Sequence, residues 1–145
     1  EEGKKLLLEN IKNGKALEKL KEFVKAQGGD PAYVDNTDLL PKAKYIIEVK
    51  ANKSGTISKI HAEEMGLTAM ELGAGRATKE SVIDLAVGIV LCKKRGEKVS
   101  EGDILARVYA NDENKGHKAV DKILNDIQIS DEYEEKIPLI YDIIR

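Results

Sequence analysis

Apolar side chains in the first 27 residues recur at intervals of three and four, which is the spacing of one face of an α-helix. The first group ends at Asn13-Gly14, a pair typical of a helix C-terminus, and the second ends at Gly28-Gly29-Asp30-Pro31, which stops a helix. We therefore predict two short amphipathic helices. Each has an apolar face that needs a partner, on this chain or on a second copy, and the residues of the two faces are Leu6, Leu7, Leu8, Ile11, Ala16, Leu17, Leu20, Phe23 and Val24.

Residues 28–44 form a polar connector with two prolines, and beyond it the pattern changes to short runs of strand-forming residues. We expect this connector to separate the helices of residues 1–27 from a second domain at residues 45–145. Because strands and helices follow one another there without the regular spacing of βαβ units, the sequence predicts an α+β fold. The predicted strands cover residues 45–50, 54–60, 88–92, 104–109, 127–129 and 138–144, with a strand start at Val99, and the predicted helices cover residues 62–72 and 113–126.

Three of these segments carry an expectation about burial. Helix 62–72 is expected to pack through one side, formed by Ala62, Met65, Ala69 and Leu72. Helix 113–126 is expected to pack through Ala119, Val120, Ile123 and Leu124. The continuous apolar run at residues 88–92 predicts a buried strand that ends in Cys92 as a small core side chain.

The composition excludes several classes of protein. Lys and Arg total 24, and Asp and Glu total 26, so the formal net charge of -2 argues against a nucleic-acid partner, whose phosphates select a basic surface. Aromatic residues make up only 4%, which leaves few platforms for base stacking. No apolar run approaches the roughly 18 residues of a membrane span, so we expect no membrane partner. A single cysteine and the lack of a signal-peptide pattern favour a cytoplasmic location.

Residues able to do chemistry are few. The two histidines, His61 and His117, and the single cysteine, Cys92, do not have a spacing typical of a zinc site. His61 lies where a strand meets a helix, as either a general base or a partly buried helix residue, whereas His117 is expected to be solvated. No base accompanies Cys92, so we do not expect it to act as a nucleophile. From these few residues we predict no catalytic, cofactor-binding or metal-ligating residue. The basic run Lys93-Lys94-Arg95 is either a solvated hairpin or an anion site.

Gly73-Ala74-Gly75-Arg76 is the most informative local feature. We expect a loop here, because two glycines let the backbone approach another group closely and the Arg76 guanidinium can pair with an anion. Neither the dinucleotide fingerprint nor the P-loop is matched, since no third glycine and no Gly-Lys-Ser/Thr follows. Gly73, Ala74, Gly75 and Arg76 are therefore either a plain connector or a loop that lines a cleft. Thr78 is expected to cap a short helix together with Ser81.

Two glycines six residues apart, Gly96 and Gly102, are followed by Val99 and Leu105 at matching positions, which fits turns that feed short paired strands. Biotinyl and lipoyl carrier domains use this pattern in the hammerhead of a barrel-sandwich. Residues 106–111 contain no Met-Lys-Met, and no Asp-Lys-Ala precedes the turn. The turns are interpreted as structural, with a free-standing hammerhead scaffold or carrier domain as the alternative.

A longer series of residues resembles the C-terminal part of pyrimidine-nucleoside and thymidine phosphorylases. The central blocks are Ala69-Met70-Glu71-Leu72-Gly73-Ala74-Gly75-Arg76, Thr78-Lys79-Glu80, Ile83-Asp84 and Ala86-Val87-Gly88-Ile89. The outer blocks are Ala16-Leu17-Glu18-Lys19, Phe23, Gln27-Gly28-Gly29-Asp30, Leu105-Ala106, Ala110-Asn111 and Pro138-Leu139-Ile140-Tyr141. The blocks occur in order over nearly the whole chain. The sequence departs from the family at Thr56, where an aromatic residue is usual, and at Ser81, where an acid is usual.

The resemblance implies a fold, a reaction and a role. The fold is an α/β-hammerhead domain, with barrel-sandwich-like β-hairpins and helices, and the two short amphipathic helices before it are the trailing helices of an upstream large lobe. Members of this family are pentosyltransferases of nucleoside salvage, in which inorganic phosphate displaces a pyrimidine base and gives a pentose 1-phosphate. It implies that the groups that bind phosphate and pyrimidine, a monovalent-cation site and the helices of a homodimer interface lie upstream, in N-terminal lobes that are the partners of this chain. We therefore expect a structural, cleft-closing C-terminal domain that is inactive alone and whose Gly73 to Arg76 loop rearranges on closure.

The chain opens at Glu1 within a helix pattern, without an initiating Met or an N-cap residue. We interpret this start as that of a piece excised from a longer protein, and a processed N-terminus is the alternative. A small hydrolase that uses His61 is a third hypothesis for the function, beside the phosphorylase domain and the carrier domain.

Overall fold

A computed structural model describes residues 1–131, Pro138 and residues 140–144 of the chain. By its internal contacts the chain divides into two units, Glu1–Pro41 and Lys42–Arg145. The division that the sequence predicts, into residues 1–27, 28–44 and 45–145, stays a prediction.

The first unit contains the two helices predicted from the periodic apolar residues. α1 spans Glu2–Lys12 and α2 spans Lys15–Ala26, and between them Gly14 has a φ of 81°. This left-handed backbone conformation favours glycine, which explains the residue at the break. Neither helix contains a buried residue. The large apolar side chains of their predicted faces are exposed, namely Leu6, Leu7, Leu8, Ile11, Leu17, Leu20 and Phe23.

The connector is more ordered than its polar composition predicts. It contains two short helical turns, α3 at Ala32–Asp35 and a 3-10 turn at Thr37–Leu39. Asp30 Oδ1 accepts from the Ala32 N–H at 2.9 Å, and Asn36 Oδ1 accepts from the Asp38 N–H at 3.0 Å. Asp and Asn side chains bonded in this way stabilise turns locally, so polar residues here form turns instead of an extended linker.

In the described part of the second unit, six strands form two antiparallel sheets. The strands are β1 at Tyr45–Lys50, β2 at Gly55–Ile60, β3 at Gly88–Leu91, β4 at Lys98–Val99, β5 at Ile104–Ala110 and β6 at Ile127–Ser130. One sheet has the order β1-β5-β3 and the other has the order β4-β2-β6. Together with the helices below, these sheets confirm the predicted α+β class. The hammerhead arrangement stays a prediction.

Two longer helices accompany the sheets, α4 at Ala62–Ala69 and α5 at Glu113–Asp126. α5 contacts β1 and β5 and buries Ala119 and Ile123, as its pattern predicts. Within the described residues, no helix has both the length and the apolar character that crossing a bilayer requires. The core of the unit consists of Val49, Ala51, Ile57, Met65, Leu72, Val87, Val99, Leu105, Ala106, Val108, Ala110, Ala119, Ile123, Ile127 and Ile129.

One expectation about burial is wrong, and another is confirmed only in part. The buried strand predicted at residues 88–92 is wrong: β3 is an edge strand whose Val90 and Leu91, on opposite faces, are 50% and 41% exposed, and Cys92 lies just beyond it and is only half-buried. On the predicted side of residues 62–72, Met65 and Leu72 are buried and Ala69 is half-buried, whereas Ala62 is exposed. Thr68 is buried in addition. Burial there starts at Met65 and continues three residues later, so the first turn of the helix does not contribute to the packed face.

The predicted last strand is not found among the residues that can be described. Pro138 and residues 140–144 form no strand and are exposed, and Leu139 lies outside the described residues. An apolar composition favours a strand only where another strand offers hydrogen-bonding partners, and none pairs with these residues in the described part of the chain.

Both predicted glycine turns are confirmed. Gly96 and Gly102 have φ values of 86° and 87°, in the left-handed region that glycine adopts without strain. The Gly96 N–H donates to Ile57 O, and the Gly102 N–H donates to Ala51 O, each at 2.8 Å. These bonds attach the turns before β4 and β5 to β2 and to the residue after β1. The turns themselves are closed by the Glu97 N–H, which donates to Lys94 O, and by the Asp103 N–H, which donates to Ser100 O.

Candidate functional site

The four residues proposed as a cleft loop lie directly after α4. A wide, π-type turn at Met70–Ala74 continues the helix, and Gly73 within it has a φ of 117° and a ψ of 0°. The loop therefore starts later than predicted, because Gly73 and Ala74 belong to this turn and only Gly75 and Arg76 lie beyond it. A left-handed residue at a helix end favours glycine, which gives Gly73 a structural reason. The role of the four residues at a cleft stays a prediction.

Residues 75–83, which we call the loop, have their two ends fixed to each other. The Asp84 N–H donates to Gly73 O at 2.9 Å. A Cβ on Gly73 would lie 3.5 Å from Asp84 Cβ, so the two chain segments are in van der Waals contact. The bond also gives a partner to a carbonyl at a helix end, where helical partners are missing. The loop therefore leaves the domain and returns to it at one point.

The Asp84 carboxylate connects this base to two strands of one sheet. Its Oδ1 accepts from the Ala86 N–H at 3.0 Å, and its Oδ2 accepts from the Asn111 side-chain amide at 2.7 Å. Asn111 follows β5, and its Oδ1 accepts from the N–H of Lys44, just before β1, at 2.9 Å. Sequence patterns do not reveal the contact between Asp84 and Asn111, because 27 positions separate them and only the turn at Asp84 has a local signature.

These hydrogen bonds lower the pKa of Asp84 below its ordinary value of 3.8, mainly through the Ala86 N–H and then through the Asn111 amide. Because the pKa of Asp84 is lower in the folded state, its carboxylate stabilises the loop base at pH values above the ordinary pKa of 3.8. The contribution is lost as the pH falls through the folded pKa.

We expect amide protection of residues 73–87, corrected for intrinsic exchange rates, to stay constant from pH 7 to about 5 and to fall only in stronger acid. The measurement is amide exchange at a series of pH values. Asp84→Asn is the control, since without the carboxylate the acid step should disappear. Loss of protection between pH 7 and about 5 in the wild-type chain would contradict this expectation.

The loop exposes both charged and apolar side chains. Arg76 is exposed and has no hydrogen-bond or ion-pair partner among the described residues. Val82 is 89% exposed, and Leu85, just past the loop, is 79% exposed. Ser81 Oγ accepts from the Thr78 N–H at 3.1 Å and closes a turn. The predicted capped helix is wrong, because this turn leads into residues 82–87, which are all described and not helical.

Of the remaining reactive side chains, His61 lies beside a neutral amide and Cys92 beside a guanidinium. His61 lies at the junction of β2 and α4, as predicted, with its Nε2 3.2 Å from Gln128 Nε2, and His117 is exposed on α5. Cys92 Sγ accepts from Arg107 Nη1 at 3.8 Å. Across residues 1–131, 138 and 140–144, no three His, Cys, Asp or Glu side chains converge as a metal site requires. The described contacts thus give neither histidine nor the cysteine an activating carboxylate.

The basic run at residues 93–95 is bonded to its own domain. Lys93 Nζ is 3.9 Å from Asp103 Oδ2, and Arg95 Nε donates to Ser58 O at 2.8 Å. These contacts attach two of the three cations to neighbouring turns and strands, which agrees with the hairpin interpretation better than with an anion site.

These elements define an α+β domain with one projecting loop that is fixed at its base, and comparison with known proteins identifies its family. A family model described as pyrimidine nucleoside phosphorylase C-terminal domain matches residues 56–130. The match runs from β2 to β6 and contains the whole loop with Asp84 and Asn111. The chain belongs to this family.

Curated relatives named pyrimidine-nucleoside phosphorylase are similar over most of the chain. The relative from Bacillus subtilis (strain 168) is 52% identical over 132 residues, which are 91% of this chain and 30% of the relative. The relative from Geobacillus stearothermophilus is 47% identical over 142 residues, 98% of this chain and 33% of the relative. The one from Staphylococcus haemolyticus (strain JCSC1435) is 54% identical over 114 residues, 79% and 26% respectively. The chain thus spans about a third or less of the length of these relatives.

Proposed function

We propose that this chain is the cleft-closing C-terminal domain of a pyrimidine-nucleoside phosphorylase. In the reaction, an oxygen of inorganic phosphate forms a bond to C1′ of the pentose while the bond from C1′ to the pyrimidine nitrogen breaks. The base leaves and takes up a proton, and the sugar becomes a pentose 1-phosphate. The observation that carries the proposal is the family match, with relatives of this name that are 47%, 52% and 54% identical to the chain.

The loop is the part of the chain that we assign to cleft closure. Its base is fixed through Asp84, whereas Arg76 and Val82 are exposed, and a fixed base with an exposed tip is typical of loops that cover active sites. Closure would remove Val82 from water and exclude water from the cleft, where it competes with phosphate for C1′. Arg76 would bring a positive charge towards an anionic co-substrate.

Under this proposal, the 145-residue chain is inactive by itself. The resemblance assigns the groups that bind phosphate and pyrimidine, and a monovalent-cation site, to N-terminal lobes upstream of these residues. Those lobes are the proposed partners of the chain, in an enzyme that we propose to be homodimeric and cytoplasmic. We assign no residue of this chain to a cofactor, a metal, a nucleic acid or a membrane.

Phosphate-dependent release of uracil from uridine and of thymine from thymidine tests this proposal. We expect release by the full-length product of the reading frame that contains these residues, and none by the pure 145-residue chain. A full-length product without phosphorolysis would refute the proposed enzyme, and turnover by the chain alone would refute its proposed inactivity. A mass increase on a lysine after coexpression with a biotin or lipoate ligase would support the carrier alternative.

Substitution of Arg76 tests the loop within the same enzyme. Arg76→Ala should lower kcat/KM of the full-length product by about ten- to a hundred-fold, because a charge placed beside the reacting groups stabilises the transition state. Arg76→Lys should retain part of the activity, since it keeps the charge but not the planar set of donors. Lys53→Ala removes an exposed charge between β1 and β2 and should leave kcat/KM unchanged. Equal losses in the Arg76→Ala and Lys53→Ala variants would count against a special role of the loop.

A further inference from the structure

We propose that Asp84 and Asn111 form a clamp that positions the loop, so that both side chains influence the reaction through Arg76 without touching the substrate. The clamp is defined by hydrogen bonds within this chain. Its effect on catalysis rests on the proposed function above. The two parts of the proposal therefore have separate tests.

The clamp joins three parts of the fold at one place. The Asp84 N–H reaches Gly73 O at the end of the wide turn, at 2.9 Å. The Asp84 carboxylate reaches the Asn111 amide after β5 at 2.7 Å, and Asn111 Oδ1 accepts from the Lys44 N–H before β1 at 2.9 Å. Because the Asp84–Asn111 pair is the middle bond of this series, its loss would remove the side-chain link between the loop base and the ends of β1 and β5.

The loop itself has few bonds that could fix its direction. Residues 76–83 are all described, and their hydrogen bonds join only Thr78 and Ser81 to each other. A segment with few hydrogen bonds of its own opens at low free-energy cost unless its ends are held. The direction in which Arg76 projects therefore depends on the base, where the clamp lies.

Asp84 has the properties of an anchor and lacks those of a general base. Both of its carboxylate oxygens accept hydrogen bonds, one from the Ala86 N–H and one from the Asn111 amide. These bonds lower its pKa, so it is ionised and already bonded at neutral pH. A carboxylate in that state is a poor proton acceptor, which leaves the holding of chain segments as its role.

The donor and the acceptor of the clamp can be exchanged, which gives a sharp test. In D84N the new side-chain amide N–H must face either the Ala86 N–H or the Asn111 amide, both of which are donors themselves. In N111D two carboxylates face each other. In the double variant D84N/N111D, the amide at position 84 can donate to the carboxylate at position 111. The bonds from the Ala86 and Lys44 N–H groups are kept, so the clamp is restored with the charge on the other side.

Amide exchange of the 145-residue chain at pH 7 tests the clamp. D84N and N111D should each speed the exchange of residues 73–87 by about ten-fold, and D84N/N111D should return it to within about three-fold of the wild-type rate. Glu80→Gln removes an exposed carboxylate from the same loop and should leave the rate unchanged. Unchanged exchange in the single variants, or no recovery in the double variant, would overturn the clamp.

Phosphorolysis by the full-length product tests the positioning role. D84N should lower kcat/KM by about ten-fold and D84N/N111D should restore it, whereas D84N should have no further effect once Arg76→Ala is present. A residue that acts through Arg76 gives this non-additive result, because its effect disappears when Arg76 is removed. Simple loss of folded enzyme would make the two effects multiply, and that outcome would overturn positioning. A wild-type enzyme without phosphorolysis would refute the proposed function, while the exchange experiment would still decide on the clamp.

Discussion

Gly55→Ala is expected to lower the free energy of unfolding of the second unit by about 3 kcal/mol. Gly55 opens β2 with a φ of 151°, and a Cβ there would lie 2.7 Å from both Ser130 O and Ile129 Cγ2. Backbone strain of this kind costs about 1–3 kcal/mol, and overpacking costs a similar amount. Because one of the atoms in conflict belongs to the backbone of β6, the sheet itself must shift to admit the methyl group.

Gly88→Ala is the matched control for this prediction. Gly88 opens β3 with a φ of 158°, but nothing lies within 4 Å of the position that its Cβ would take. The Gly88→Ala variant therefore measures the cost of backbone strain alone, and we expect it to lower the free energy of unfolding by about 1 kcal/mol. Urea denaturation of the two variants, with the slope of the transition compared, measures the difference. Equal losses in both variants would show that contact with β6 does not matter at Gly55.

Most helices and strands of this chain can be predicted from residue patterns, because local signals agree with the packed structure. β1 is rich in β-branched and aromatic residues, and α5 has an apolar stripe that follows Asp112, whose Oδ1 accepts from the Lys115 N–H as an N-cap does. Of the four α5 side chains predicted to face the core, Ala119 and Ile123 are buried, and Val120 and Leu124 are partly buried against them. Local preference and tertiary packing therefore point to the same structure there.

The exposure of the β3 side chains could not be predicted in the same way. An unbroken apolar run reads as a strand covered on both faces, yet the order β1-β5-β3 leaves β3 at a sheet edge with Val90 exposed. Position within a sheet depends on which strands pair, and the residues of one strand do not encode it. The wide turn after α4 was missed for a related reason, since it depends on a bond between Gly73 and Asp84, eleven residues later.

Some features of the candidate site could likewise be predicted from the sequence, and others could not. Glycines at the loop entrance and an exposed Arg76 could be anticipated, because a left-handed φ and an exposed cation have direct signatures in residue type. The clamp could not, because it needs Asp84 and Asn111 to meet across 27 positions. Only the order of the strands brings the end of β5 to the base of the loop. The fold thus determines how the loop is held, whereas the local sequence determines what it presents.

Ile123→Ala is expected to cost about 3 kcal/mol of unfolding free energy. Ile123 lies on the buried face of α5 and has no exposed surface, so truncation removes three carbon atoms from a closely packed site. Removal of such a side chain costs about 2–5 kcal/mol, and the better helix propensity of alanine returns about 0.4 kcal/mol. Urea denaturation of the 145-residue chain, with the midpoint and the slope compared, measures the loss.

A graded pair of controls separates cavity formation from a general effect of substitution. Ile123→Val removes one carbon atom and should cost about 1 kcal/mol, whereas Val82→Ala shortens a side chain that is 89% exposed and should change stability by less than about 0.5 kcal/mol. The three losses should therefore rank with the buried volume removed, since the transfer of apolar atoms from the core is their common cause. An Ile123→Ala variant as stable as Val82→Ala would mean that α5 does not pack on β1 and β5 through Ile123. Asn111, the clamp residue between β5 and α5, would then lose the support that this packing gives it.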